Sequence, residues 1–402
     1  MSWEIKKLSD CCISIADGDH QAPPKSDSGV PFVTISNINA SNQFDFTNTM
    51  FVPQEYYDGL DSKRKAQKGD ILYSVVGSFG IPVYMKETVP FVFQRHIAIL
   101  RPNDTILPQF LYYTMLSRDF YMQADAAALG AAQRTISLSA LRNMKIAVPP
   151  LDEQQKIVAN LSAFDDLIEN NQKQINLLEE AAQRLYKEWF VDLRFPGHET
   201  TSVVDGVPEG WHKGKISDFV PTSSGGTPSR THPEYYSNGT NLWVKTQELN
   251  DGFIFDTEEK ITDDAIKNSS AKIIPQGSIL MAMYGATIGK IGIAATELTC
   301  NQACCVFNLS KIKYATSYLY CWLKDNRDFF VSQGKGAAQP NLSQAMIKNF
   351  DVLIPTADIL TTFSQVTDTL LELSAKLHLQ NRDLIEARDR LLPKLMSGEI
   401  EV

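Results

Sequence analysis

Apolar positions in this chain keep one spacing, then another, and then the whole alternation starts again. Up to residue 150 they come in short runs, at 30–38, 70–76, 91–100 and 144–148, broken by Gly, Pro and Asn. Runs of that length bounded by turn residues predict strands. A helical stretch at 109–118 makes this part a mixed α+β domain. Pro149-Pro150 closes it, because proline cannot continue a strand ladder or a helix interior. Asp152 then stands where a helix N-cap belongs, and Leu161, Phe164, Ile168, Ile175, Leu178, Ala182, Leu185 and Trp189 recur at helical spacing. A helix over 152–190 would be about 57 Å long at 1.5 Å per residue. Strand-like runs return at 242–246, 278–284, 289–295 and 304–309, with a helix at 316–324, and a second long helical stretch covers 358–395.

The second half repeats the first at a series of matched positions. Gly130-Ala131-Ala132-Gln133 returns as Gly336-Ala337-Ala338-Gln339, an offset of 206 that also matches Leu178 with Leu384 and Leu185 with Leu391. Upstream the offset is 208, matching Gly77 with Gly285 and Gln94 with Gln302, and Trp3 and Trp211 open the copies alike. A repeat of 20–50 residues would mean a solenoid; a domain-sized one implies two similar modules and pseudo-twofold symmetry. The expected domains are 1–150, a helix and linker at 151–204, a second domain at 205–356, and a second helix at 357–402. In that second helix Leu370, Leu377, Leu384 and Leu391 fall seven apart, with Leu373 and Ala387 on the neighbouring row. This is a short coiled-coil seam, matched in the first copy by Phe164, Asn171, Leu178 and Leu185. Two long helices of this kind each need an apolar partner, and antiparallel pairing with each other supplies it.

Composition adds limits. With 43% apolar and 21% charged residues the chain is an ordinary globular protein, no run approaches a membrane span, and the start lacks a signal peptide's apolar core, so a cytoplasmic location is expected. Six cysteines stand without disulfide or zinc spacing and read as buried thiols. The net charge of −9 is unevenly spread. Basic and acidic residues number 14 and 14 over 1–150, 5 and 10 over 151–204, 14 and 15 over 205–355, and 5 and 8 over 356–402. The excess acid therefore sits in the helical segments, and the globular parts are free to hold basic faces. Low non-specific affinity for DNA is still expected.

No catalytic constellation emerges. Gly285-Ala286-Thr287-Ile288-Gly289-Lys290-Ile291 is one residue short of a phosphate loop and ends in Ile where Ser or Thr would bind magnesium. Glu258-Glu259-Lys260 after Asp256 is spaced too tightly for a nuclease's acidic pair. Val148-Pro149-Pro150-Leu151 lacks the flanking residues with which an adenine methyltransferase grips a flipped base.

Several strings nonetheless resemble one family. Val148-Pro-Pro-Leu-Asp-Glu-Gln-Gln-Lys-Ile-Val158, Asp166-Leu-Ile-Glu-Asn170, Leu185-Tyr-Lys-Glu-Trp-Phe190 and Leu391-Leu-Pro-Lys-Leu-Met-Ser-Gly-Glu-Ile400 look like the specificity subunit of type I restriction–modification systems. So do Asp17-Gly-Asp-His20 with Pro31-Phe-Val-Thr-Ile-Ser-Asn37, and Gly225-Gly-Thr-Pro228 with Trp243-Val-Lys245. The second helix departs at its start, where Asp358-Ile-Leu-Thr-Thr362 lacks the pair seen at Glu153-Gln154. The resemblance implies two α/β target-recognition domains related by pseudo-twofold symmetry and separated by two long antiparallel helices. It implies a non-catalytic, cofactor-free subunit that reads a bipartite site in double-stranded DNA. It also implies two methyltransferase (modification) subunits and two restriction/translocase subunits as partners, the methyltransferase flipping its target base out of the duplex. The alternative is an assembly scaffold without sequence-specific reading.

Candidate DNA contacts follow from residue type. Asp19 and His20 lie in the first turn, where His20 reaches DNA or caps its own loop. Gln94, Arg95 and Gln302 sit at strand starts. Gln133 with Arg134, and Gln339 with Asn341, follow equivalent glycine-alanine turns. Gln and Asn pair bidentately with adenine and Arg with guanine, but the shared Gly-Ala-Ala-Gln string equally suits loop bracing. Arg134 faces Pro340, so the copies diverge there. Ser229, Arg230, Lys245, Tyr284, Lys290 and Lys335 complete the candidates in the second domain. Tyr186, Trp189 and Phe190 form an aromatic cluster that seats a methyltransferase subunit or covers the adjoining linker.

Overall fold

The computed structural model describes residues 3–39, 41–130, 133–334 and 341–401. The chain divides into two compact units, Met1–Ile168 with Leu384–Val402, and Glu169–Asp383. These boundaries differ from the expected ones because each unit takes a stretch of both long helices.

In the first unit Ile97–Pro102 lies between Cys12–Asp17 and Ile71–Ser74, and Pro82–Tyr84 adds a fourth antiparallel strand. A three-stranded sheet has Val30–Val33 in its middle, antiparallel to Met50–Val52 and parallel to Val92–Phe93. Glu4–Lys7 pairs antiparallel with Lys145–Val148, so the start of the unit is tied to the strand that leads into the first long helix. Ile71–Ser74 is buried at every position, as a central strand covered on both faces must be. Pro108–Leu116 and Arg118–Ala127 are separate helices, broken where the Ser117 side chain caps the second. Trp3 meets Phe110 edge-on at 6.5 Å and donates to Glu153 at 3.2 Å.

The second unit repeats the plan. Thr222–Ser224, Cys304–Phe307, Ile279–Ala282 and Ile291–Ala294 form the same antiparallel order, extended by Phe253–Ile254 running parallel to Ile291–Ala294. Asn241–Val244 lies between Lys260–Ile261 and Thr299–Cys300, and His212–Lys215 pairs with Asp351–Ile354. The expected linker is partly folded: Val203–Val204 and Val207–Pro208 make a hairpin whose turn places Asp205 and Gly206 at positive φ, the Asp-Gly signature of a tight reversal.

The long helices run Leu151–Tyr186 and Ala357–Met396, the first continuing into a π-turn at Lys187–Val191. In the second unit Asn171 bonds Gln380 and Asn381 at 3.1 and 2.9 Å, while Trp189 and Phe190 pack on Phe363 with ring centroids at 5.6 and 4.9 Å. Rising numbers on one helix meet falling numbers on the other, so the pairing there is antiparallel. In the first unit Arg388 bonds Asp165 at 2.7 Å. In the expected leucine seam of the second helix Leu377 is buried and Leu370, Leu384 and Leu391 are half-buried, but the neighbouring row differs. Leu373 is 44% exposed and Ala387 is exposed, whereas Leu360, Phe363, Thr367, Leu371, Ser374, Leu377 and Asn381 are buried. Small polar residues thus alternate with apolar ones: Thr367 donates to the Phe363 carbonyl at 2.8 Å, and Asn381 accepts from Asn171. A buried polar pair fixes register at a cost in stability. Replacing Asn171 with Leu alone removes the donor facing two acceptors, and should lower the urea midpoint by an amount equivalent to about 1–3 kcal/mol. Replacing Asn171 and Asn381 together with Leu should recover most of it; equal loss in both variants would refute the pairing.

Candidate nucleic-acid interface

In the first unit four loops are joined by backbone bonds. Gly18 comes so close to the chain opposite that a Cβ would lie 2.2 Å from the Phe93 carbonyl oxygen. That approach lets Asp19 donate its N–H to Phe93 at 2.9 Å and accept from Arg95 at 3.0 Å. The next link is the bond from the Val75 N–H to the His96 carbonyl, 2.8 Å, and Ile136 donates to Val75 at 2.8 Å. Gly77, at φ 70°, donates to the Arg134 carbonyl at 2.9 Å. Asp19, His20, Gln94, Arg95, Gln133 and Arg134 are therefore carried on one connected backbone network, although they span more than 100 residues of sequence.

Their side chains are held to different degrees. His20 binds Asp17 at 2.8 Å, and Arg64 stands 3.9 Å from the same carboxylate. Asp19 accepts from the Tyr56 hydroxyl. Gln94 is half-buried, while Arg95 and Gln133 are exposed. Burial, then the Arg95 charge, holds the His96 imidazole below its ordinary value, so it is neutral near pH 7. Arg134 bonds Asp125 at 2.5 Å and lies over the Phe79 ring, 5.2 Å from its centroid.

The second unit builds the same network from different residues. A Cβ on Gly225 would lie 2.1 Å from the Cys300 carbonyl oxygen, and Gly226 donates to that oxygen at 2.9 Å. Met283 donates to Ala303 at 2.9 Å, Leu342 donates to Met283 at 2.8 Å, and Tyr284 bridges Asn341 as Val76 bridges Thr135. Gly285 takes φ 71° where Gly77 takes 70°. Gln302 accepts from the Thr227 hydroxyl, and Ser229 bonds Thr231 at 2.7 Å. Arg230 bonds Glu259 at 2.6 Å. Tyr284 is 39% exposed and Asn341 is exposed. Lys335 and Gln339 lie outside the described residues.

Two lysines are placed otherwise than expected, and three aromatics are enclosed. The Lys245 ammonium is bound to Glu258 at 2.7 Å and stands 3.7 Å from Glu259, in a side chain only 15% exposed, so it braces the unit's own loops. Lys290 sits 3.1 Å from Asp251, which also binds Arg327. Tyr186, Trp189 and Phe190 are buried in the second unit's core against Trp211, Tyr318 and Phe363. Of the two expected roles, a subunit seat or a cover for the linker, this enclosure favours the cover, where the Phe195 ring lies 4.7 Å from that of Trp211. Tyr56 touches Asp19, Phe79 lies under Arg134, and Arg64 faces the Asp17 partner of His20, yet nothing local in the sequence links these three to the turns they support.

Among the described residues no group of three or more His, Cys, Asp or Glu is placed to hold a metal. Burial pushes the Cys305 and Cys321 thiols up to about 12, far from the thiolate form a metal takes. No helix among the described residues is long and apolar enough to cross a membrane.

The type I restriction modification DNA specificity domain matches residues 2–180 and again 208–380. The chain belongs to this family. Its role is DNA sequence specificity, and the two matches cover both copies of the network described above. The MjaIX specificity subunit of Methanocaldococcus jannaschii is 28% identical over 85% of this chain and 80% of its own length. The HindI specificity subunit of Haemophilus influenzae is 25% identical over 92% of this chain and 95% of its own. The S subunit of a type I restriction–modification system from M. genitalium shares the fold, with TM-score 0.59 and 15% identity over 98% of this chain and 96% of the other.

In this specificity subunit Asp251 is the anchor of the second unit's charged loop. Burial, which by itself would raise the Asp251 carboxyl, is outweighed by bonds from Arg327, the Ile291 amide and Lys290, which hold it below the usual carboxylate range. A depressed native value adds stability above the unfolded pKa, and that stability is lost as pH falls below about 4. Asp251→Asn, which keeps the left-handed backbone at this residue accessible, should lower the urea midpoint at pH 7 and flatten the decline in stability below pH 4. An unchanged acid limb would contradict the assignment.

Proposed function

We propose that each unit reads one half of a split DNA sequence, and that the chain performs no chemistry itself but brings modification and restriction subunits to the site. The observation that carries this reading is the paired network: the same loop-joining backbone bonds occur in both units, with different side chains mounted on them. Two readers with a common frame and divergent contacts suit two half-sites of different sequence, since base-edge contacts specify while backbone contacts position.

The long helices, 36 and 40 residues, are proposed to set the interval between half-sites. At 1.5 Å per residue they extend about 54 and 60 Å, and a covalently joined second reader binds at a raised effective concentration. The acidic character of these segments is consistent with a spacer that does not itself follow the phosphate backbone.

Footprinting of the chain together with its modification subunits on genomic DNA tests the reading. Protection of two short blocks of fixed sequence, separated by a gap of constant length and free sequence, is expected. Binding that ignores sequence, or a single uninterrupted block, would contradict it and favour an assembly scaffold.

A further inference from the structure

Some arginines in this chain that bind carboxylates are packed into it. Arg101 is paired with the buried Asp70 and its side chain is 18% exposed; Arg327, on Asp251, is 25% exposed. Two others are built differently. Among the described residues, Arg134 and Arg230 are the arginines that lie over aromatic rings while also bound to a carboxylate, and their side chains are 43% and 57% exposed.

The two assemblies are alike in chemistry and different in position. Arg134 lies over Phe79, which stacks on Tyr121 with centroids 6.0 Å apart and ring planes 14° from parallel. Its Nη1 and Nη2 donate to the side chain and backbone carbonyl of Asp125. This leaves the edge formed by Nε–H and the remaining Nη2 hydrogen. Arg230 lies 4.0 Å from the Tyr236 centroid and 5.5 Å from that of Trp243, with Nη2 on Glu259. Its platform is fixed by the loop next to Gly225: Tyr236 donates to the Pro228 carbonyl at 2.6 Å and Trp243 to that of Gly226 at 3.0 Å. A guanidinium held flat by a ring and oriented by a carboxylate has given up most of its rotamer freedom before any ligand arrives. A phosphate can also take such a fork, but only a base edge carries sequence. The fork suits a planar, bidentate acceptor, and guanine presents O6 and N7 in that geometry in the major groove.

We infer that Arg134 and Arg230 are the guanine-reading residues of the two units, so that each half-site contains a G·C pair contacted by one stacked arginine. The inference rests on the DNA-reading role proposed above and adds what is read. Because Arg134 corresponds to Pro340 in the other copy, the two guanines are read from different loops of a shared frame, and neither arginine substitutes for the other. Phe79 and Asp125, and Tyr236, Trp243 and Glu259, are positioning residues that act through the arginines.

Selection from a pool of duplexes with randomised sequence, by the chain in complex with its modification subunits, tests this. The unmodified complex should enrich a bipartite site with an invariant guanine in each half. Arg134→Ala should abolish preference at one of these positions and leave the other half unchanged; Arg230→Ala should do the reverse. Arg134→Lys, which keeps the charge but not the fork, should also relax that position. Phe79→Leu should weaken discrimination there while the salt dependence of binding stays the same, which a merely structural role would not do. As a readout independent of any variant, 7-deazaguanine, which lacks N7, should weaken binding of the unmodified complex about 10-fold or more at those two positions alone. Selection of an unchanged site by both alanine variants, or full tolerance of 7-deazaguanine throughout, overturns the inference and leaves the bipartite reading intact. If the unmodified complex enriches no sequence, the proposed function fails and this inference falls with it.

Discussion

Everything at the proposed reading surface depends on a close approach of backbone to backbone that a Cβ would prevent. Gly18 and Gly225 lie against the carbonyls of Phe93 and Cys300, and the neighbouring amides of Asp19 and Gly226 bond those same oxygens. From that point the bonds through Val75 and Ile136, or through Met283 and Leu342, reach the remaining loops. Loops are normally the most mobile and variable parts of a domain. Here they are cross-tied by main-chain bonds, which are indifferent to side-chain identity, so the residues mounted on them are free to differ between copies.

Much of this was legible beforehand. The duplication, both mixed domains and both long helices follow from spacing and composition, and the first helix buries Leu161, Ile175 and Ala182, and its π-turn Trp189, as the periodicity requires. Other features left no local signal. Glu4–Lys7 is a short, mostly exposed strand whose pairing with Lys145–Val148 is set only by the fold. In the second helix the leucine row holds, but Leu373 and Ala387 beside it are exposed, whereas Thr367 and Asn381 are buried through bonds that a hydrophobic pattern does not register. The aromatic run ending the first helix was ambiguous for a related reason: density of rings in sequence says nothing about which side of the surface they occupy. For the reading residues, type could be guessed, but the ring under Arg134 and the tyrosine on Asp19 come from remote segments.

The charge distribution is consistent with a protein that discriminates more than it adheres. The acidic helical segments are partly neutralised within each unit, by Arg388 on Asp165 in one and by Lys324 on Glu179 at 2.8 Å in the other. Burial, which would raise the Glu179 carboxyl, is outweighed by His378, 3.9 Å away, and by the bond from Lys324, which hold it below its ordinary value. Several basic side chains on the recognition side are likewise committed to carboxylates. Fewer mobile cations mean a smaller sequence-independent contribution to DNA binding, which leaves affinity more dependent on oriented contacts.

The central claim, that one backbone network rigidly mounts the reading loops in both units, is tested most directly by amide hydrogen exchange of the intact chain. The amides of Asp19, Val75 and Ile136, and of Gly226, Met283 and Leu342, should exchange as slowly as those of the neighbouring strands, despite lying in turns or at strand ends. Exchange at the fast rates of ordinary surface loops at both sets of positions would contradict the account.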